Sequence, residues 1–202
     1  LKLTASHEIG HTTGGVLIKE EPSTFFGKEY SRLEEARAEL FSLWSLPFLL
    51  REGVINYEEE VAGYYSMVSS FMRAMESEPN DHAGSRNMMF NHFLAHGSLT
   101  EREEQGKVKF LVNPSKMREV VINMLGELGD IKATGDKERL EKFKEEYLST
   151  KRKQEFQERL KNMPLGTGLI FPTMVHDGAK YTGDLIYPST YREQLRTIEH
   201  FL

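Results

Sequence analysis

Apolar residues recur at three- and four-residue intervals along most of this chain, a periodicity that predicts a mainly α-helical protein. Residues 2–12 (KLTASHEIGHT) suit a short helix that stops near Gly14-Gly15. A loop punctuated by Pro22 and Gly27 follows. Leu33, Leu40, Leu43, Trp44, Leu46 and Leu50 mark a second helix over 33–51. Ser31 and Glu34 are spaced as a capping box at its start, and Pro47 is expected to kink it or divide it in two. Asn56 is placed to cap a third helix, whose apolar positions run from Val61 through Phe71 to Met75 before Pro79 ends it. Asn80 or Asp81 caps a fourth, through Met88, Met89, Phe90, Phe93 and Leu94 to Gly97. Residues 107–112 (KVKFLV) alternate as a short strand. Asn113-Pro114 then opens a helix to about Leu128, and a charged helical stretch spans 136–161. In the last forty residues, glycines and prolines break up short β-prone runs at 169–171 and 184–187. His176-Asp177-Gly178-Ala179 suits a hairpin turn there, with a short helix expected after Pro188. The fold expected is a multi-helix lobe with a small β-containing C-terminal region.

Composition narrows the function classes. With 28% charged and 39% hydrophobic residues, the 202-residue chain reads as globular. Its formal net charge of −5 argues against nucleic acid as a partner, because phosphate binding needs a basic face. No apolar run approaches the length of a membrane span, so no membrane partner is expected. The absence of cysteine removes disulfides, thiolate metal sites and cysteine nucleophiles together.

What remains is a histidine and carboxylate chemistry. His7-Glu8-Ile9-Gly10-His11 is H-E-x-x-H. On a helix, residues four apart share a face, so His7 and His11 can grip one cation, with Zn²⁺ the ion expected. Glu8 lies beside that face, placed to take a proton from a water acidified by the metal. Catalytic zinc sites use three protein ligands, and without cysteine the third must be His, Asp or Glu. Leu33-Glu34-Glu35-Ala36-Arg37-Ala38-Glu39 offers candidates. If Glu35 binds the metal, Glu39, on the same face, is placed to accept an N–H from a ligating histidine, and Glu34 can serve the other. A merely solvated acidic helix is the plain alternative. His92 and His96 are a further i, i+4 pair, but no Glu follows His92 in the motif position. Met88-Met89-Phe90 and the aromatic stripe at 64–71 read as core, Lys151-Arg152-Lys153 as a solvated face, and Gly166-Thr167-Gly168 as a turn.

H-E-x-x-H followed by E-E-x-R-A-E resembles the dipeptidyl peptidase III family of zinc exopeptidases. The resemblance implies one zinc per chain, held by His7, His11 and Glu35, with Glu8 as general base and Glu34 and Glu39 steadying the zinc histidines. Asp81-His82-Ala83-Gly84-Ser85-Arg86 is similar to the family's H-x-x-x-R stretch. By that likeness His82 binds substrate and stabilises the transition state, and Arg86 is a candidate substrate contact. A helix-start histidine bonded to backbone is the plain alternative for His82, and a carboxylate partner or solvent for Arg86. Most members carry a six-residue first motif, whereas this one has the five-residue form found in bacterial relatives. Specific motifs cover roughly residues 4–97. The family enzyme has two lobes, and its grip on the substrate's amino terminus lies mostly in the lobe upstream in sequence. Nothing here matches that lobe, and the chain opens at Leu1 without Met, so we read residues 1–202 as one catalytic lobe of a longer protein. Within it, 1–100 would carry the zinc motifs and 101–202 the supporting helices and strands. The activity expected is hydrolysis of peptide bonds near the amino end of oligopeptides, in the cytoplasm. The alternatives are another zinc hydrolase, either aminopeptidase or endopeptidase, and a non-catalytic zinc-holding domain.

Overall fold

The computed structural model describes residues 2–74, 81–104, 107–149, 151, 152, 154, 156, 173–177 and 180–186. It divides into two compact units, Leu1–Gln157 and Glu158–Leu202. The first contains α1 (Lys2–His11), α2 (Pro22–Phe26), α3 (Glu29–Arg51), α4 (Tyr57–Ala74), α5 (Asp81–Ala95), β1 (Leu99–Glu104), β2 (Lys107–Val112), α6 (Pro114–Thr134) and α7 (Lys137–Tyr147). The second contains an antiparallel pair, β3 (Thr173–Asp177) and β4 (Lys180–Ile186), in which Asp177 faces Lys180. The fold is mainly α, as the periodicity predicts. The helix expected after Pro188 and the run at 169–171 lie outside the described residues.

Helix α3 is the axis of the first unit. Leu33, Ala36, Leu40, Leu43 and Leu46 are buried along it, and α1, α4, α5 and α6 pack around it. Tyr64, Val68 and Phe71 from α4 close the core, together with Met88, Met89, Phe90 and Phe93 from α5 and Met117, Met124, Leu128 and Ile131 from α6. The methionine cluster and the stripe at 64–71 are thus core, with Tyr65 as the exposed exception. The chain passes through Pro47 in one continuous helix. Core packing of Leu43 and Leu46 beside it outweighs the backbone bond that proline removes.

Four boundaries differ from the sequence pattern. The charged helix expected over 136–161 ends at Tyr147, where Leu148 turns extended. Helix α3 starts at Glu29, so Ser31 is inside the helix and caps nothing; Lys28 holds the cap position without a side-chain bond. Residues 22–26 form a short helix rather than loop, with Pro22 at its first turn. Helix α6 runs past Leu128 to Thr134, where Gly135 takes the left-handed conformation (φ +72°) that stops it. Elsewhere the local signals hold. Asn56 and Glu59 cap α4 reciprocally, each side chain accepting the other's backbone N–H at 2.8 Å. The Asn113 side chain accepts from the Lys116 backbone, with Pro114 at the first helical position. Strand β1 (LTEREE) had no alternation to announce it; it is held by its register on β2, Leu99 opposite Val112 through Glu104 opposite Lys107.

Candidate metal centre

Helix α1 lies against α3 along a seam of small residues. A Cβ on Gly10 would stand 2.9 Å from Ala38 Cα and 3.0 Å from Phe41 Cβ, so only glycine permits the approach. Two serines of α3 fasten the seam. Ser42 donates to the Leu3 carbonyl, and Ser45 donates to the Ser6 hydroxyl, each at 3.0 Å. This packing turns the His7–His11 face of α1 towards the acidic first half of α3.

There the expected ligands converge. His7 Nε2 and His11 Nε2 are 3.1 Å apart, with the rings nearly perpendicular. Glu35 places Oε2 3.4 Å from His7 Nε2 and Oε1 3.8 Å from His11 Nε2. Among the described residues this is the one group of three or more His, Asp or Glu side chains with the make-up of a metal site. A tetrahedral zinc at about 2.05 Å from each donor sets ligand atoms about 3.3 Å apart, close to these separations. Glu35 Oε2 is moreover buried without a hydrogen bond, although His82 Nδ1 lies 3.1 Å away. A buried carboxylate oxygen left in that state is costly unless a cation faces it. The donor set fits zinc.

The flanking carboxylates are taken up differently from one another. Glu34 is buried and faces His11 from the other side of its ring, Oε1 standing 3.8 Å from Nδ1. Arg37 grips both Glu34 oxygens at 2.9 Å, and Lys132 from α6 reaches Oε2 at 2.7 Å. Glu39, expected to serve a zinc histidine, accepts from Arg86 through Oε1, with Nε at 2.9 Å and Nη2 at 2.6 Å. The pair joins α3 to α5 through two charge-assisted bonds to one carboxylate oxygen. Arg86 therefore finds its carboxylate on α3 rather than on its own helix.

His82 stands at the start of α5, half-exposed, with its ring directed to Glu35 rather than to backbone. Together with His7, Glu8, Glu39 and Arg86 it lines a cavity of about 370 Å³, on whose rim Glu8 is exposed. Sequence reasoning missed three residues here. Arg37 lies within the quoted motif but was given no role, Gly10 was hidden as a variable position, and Lys132 lay beyond the expected end of its helix.

The other histidine pair is built for packing. His92 and His96 have ring centroids 4.2 Å apart, and His96 Nε2 meets the Tyr147 hydroxyl at 3.2 Å. Burial, with the neighbouring His96 adding, pushes the His92 pKa down to about 3, so its ring is neutral. No third ligand group joins the pair among the described residues. No helix among them is long and apolar enough to cross a membrane.

No protein-family profile matches the chain. It is 26% identical over 109 residues to Nudix hydrolase 3 of Arabidopsis thaliana, a stretch that is 54% of this chain but 14% of that protein. Among solved structures it is similar to DPP III from Caldithrix abyssi (TM-score 0.70, 23% identity) and to dipeptidyl-peptidase III from a Corallococcus species, strain EGB (TM-score 0.69, 25% identity). Each match covers 81% of this chain and 32% or 31% of the other. The chain thus has the fold of about a third of a dipeptidyl peptidase III polypeptide.

Proposed function

We propose that this chain is the zinc-binding part of a peptidase that, like dipeptidyl peptidase III, hydrolyses peptide bonds near the amino end of oligopeptides. The observation that carries the reading is the meeting of His7, His11 and the Glu35 carboxylate, beside a cavity that His7 lines together with Glu8 and His82, in a dipeptidyl peptidase III-like fold. His7, His11 and Glu35 would hold one zinc ion. When bound, zinc supplies Lewis acidity, polarising the scissile carbonyl and making a nearby water a stronger acid.

The chain's own groups do the rest. Glu8 accepts the proton of the attacking water and passes it to the departing amine as the C–N bond breaks. His82, 3.1 Å from Glu35 and open to the cavity, is placed to donate a hydrogen bond to the oxyanion. Arg86, held by Glu39, gives the wall a fixed cation facing the peptide. Glu34 Oε1 faces His11 Nδ1 at 3.8 Å, on the side of the ring away from the ligand atom Nε2. The grip on the substrate's amino terminus belongs to a second lobe of the same protein, in keeping with a chain that spans a third of the solved relatives. A cysteine-free composition suits the cytoplasm.

Elemental analysis after dialysis tests the metal: about one zinc per chain is expected, and a metal-free protein would refute the site. Glu8→Gln should keep zinc while lowering turnover by about 10²–10⁴-fold. Product analysis on a defined oligopeptide, using the longer polypeptide that contains this chain, should show dipeptides leaving the amino end. Internal fragments would point to an endopeptidase. Full activity in Glu8→Gln would remove Glu8 as the base.

A further inference from the structure

We propose that Lys132 is a positioning residue for the metal centre: from α6, and through Glu34, it fixes the orientation of His11. The proposal rests on the zinc reading above and adds to it a residue that no motif contains.

Lys132 is buried, 6% exposed, at the last turn of α6, and its ammonium sits 2.7 Å from Glu34 Oε2. Arg37 holds the same carboxylate through Nη1 and spends Nη2 on the Thr13 carbonyl at 3.0 Å, just beyond α1. The next residue after Lys132 adds a second tie, for the Ala133 carbonyl accepts the Leu17 backbone N–H at 2.8 Å. The end of α6 thus grips both Glu34 and the segment that leaves α1.

Two cations on one buried carboxylate have two consequences. Glu34 cannot swing round to join Glu35 in the ion site, so the tandem carboxylates keep separate tasks. And Glu34 Oε1 is held 3.8 Å from His11 Nδ1, so its charge favours the proton on that nitrogen and the ring orientation in which Nε2 faces His7 and Glu35. Arg37, on the same helix as Glu34, sets one direction of the carboxylate. Lys132, from another helix, sets the other.

The test compares Lys132→Met, Lys132→Arg and Glu34→Gln in the 202-residue chain. It reads the zinc dissociation constant by chelator competition, the visible spectrum of the cobalt-substituted protein and the helical circular dichroism. Lys132→Met should bind zinc about 10–100-fold more weakly, with one ion per chain, an altered cobalt spectrum and unchanged helicity. Lys132→Arg should recover most of the affinity, because it restores the charge. Glu34→Gln should match the loss in Lys132→Met, and the double variant should lose no more than either single one. Wild-type affinity in a folded Lys132→Met overturns the proposal. So does wild-type affinity in Glu34→Gln, whose near-isosteric side chain reads the same link even if Lys132→Met does not fold. A wild-type chain without zinc refutes the zinc reading itself, whereas a loaded wild type with unaffected variants refutes only the role of Lys132.

Discussion

Gly10→Ala adds one carbon at the seam on which the metal centre depends. That carbon would lie 2.9 Å from Ala38 Cα, 3.2 Å from the Ala38 carbonyl oxygen and 3.0 Å from Phe41 Cβ. Two of these three neighbours are backbone, so a rotamer change cannot relieve them and the helices must part by several tenths of an ångström. Overpacking of this kind costs about 1–3 kcal/mol. Alanine returns about 0.5–1 kcal/mol relative to glycine inside a helix, leaving a net loss centred on about 1 kcal/mol and at most about 2.5 kcal/mol. Gly126→Ala is the matched control. Gly126 lies inside α6 with nothing within 4 Å of its would-be Cβ, so there only the propensity gain applies. The two substitutions are chemically identical and should differ in stability by about 2 kcal/mol in opposite directions. Urea unfolding of the metal-free chain measures the difference, and chelator competition should show weaker zinc binding in Gly10→Ala alone. If Gly10→Ala proves as stable as Gly126→Ala and binds zinc like wild type, α1 is not held by the seam and the positional argument for His7 and His11 fails.

Two further outcomes follow from buried ionisable groups away from the seam. Glu60 is fully buried and shared by Arg118, at 2.7 Å through Nε, and by the Tyr64 hydroxyl at 2.9 Å. Burial alone would raise its pKa, but these bonds outweigh burial and hold it below the ordinary carboxylate value. Arg118→Leu strands that carboxylate and should cost about 3–5 kcal/mol in urea unfolding at pH 7; a loss under 1 kcal/mol would contradict it. His92 gives a pH dependence of definite sign. Its pKa falls from 6.5 to about 3 on folding, so between those values the unfolded chain binds the extra proton and stability drops as the solution is acidified. From pH 6.5 to 5 this group alone removes about 1.6 kcal/mol, because the slope rises to its full 1.36 kcal/mol per unit only below the unfolded pKa. His92→Gln should flatten that part of the profile, and an unchanged slope would show that His92 is not the group responsible.

What the sequence made legible was periodicity and local chemistry. H-E-x-x-H and E-E-x-R-A-E could be read as two helical faces because i, i+4 spacing is a local property, and Asn56 and Asn113 could be read as caps for the same reason. Strand β1 escaped because its six residues are mostly charged and become a strand only by pairing with β2. Helix α6 outran its expected end because Gly126 and Gly129, though weak helix formers, sit where nothing crowds them and the apolar face continues to Ile131. The site itself was legible as candidates, not as partners. Nothing near Glu39 in the chain announces Arg86, and nothing near Glu34 announces Lys132, because both pairings are made by helices that meet only once the core has formed.

The seam between α1 and α3 also bears on how an ion would come and go. Both imidazoles ride on one ten-residue helix, whereas the carboxylate belongs to the scaffold it rests on. A bound cation would therefore act as a clasp between a removable strip and a fixed frame. Peeling the strip back takes away two of three ligands in one movement, so fraying of α1 and release of the ion become the same event. Whatever presses on the outside of that helix then gains a hand on the metal's residence time.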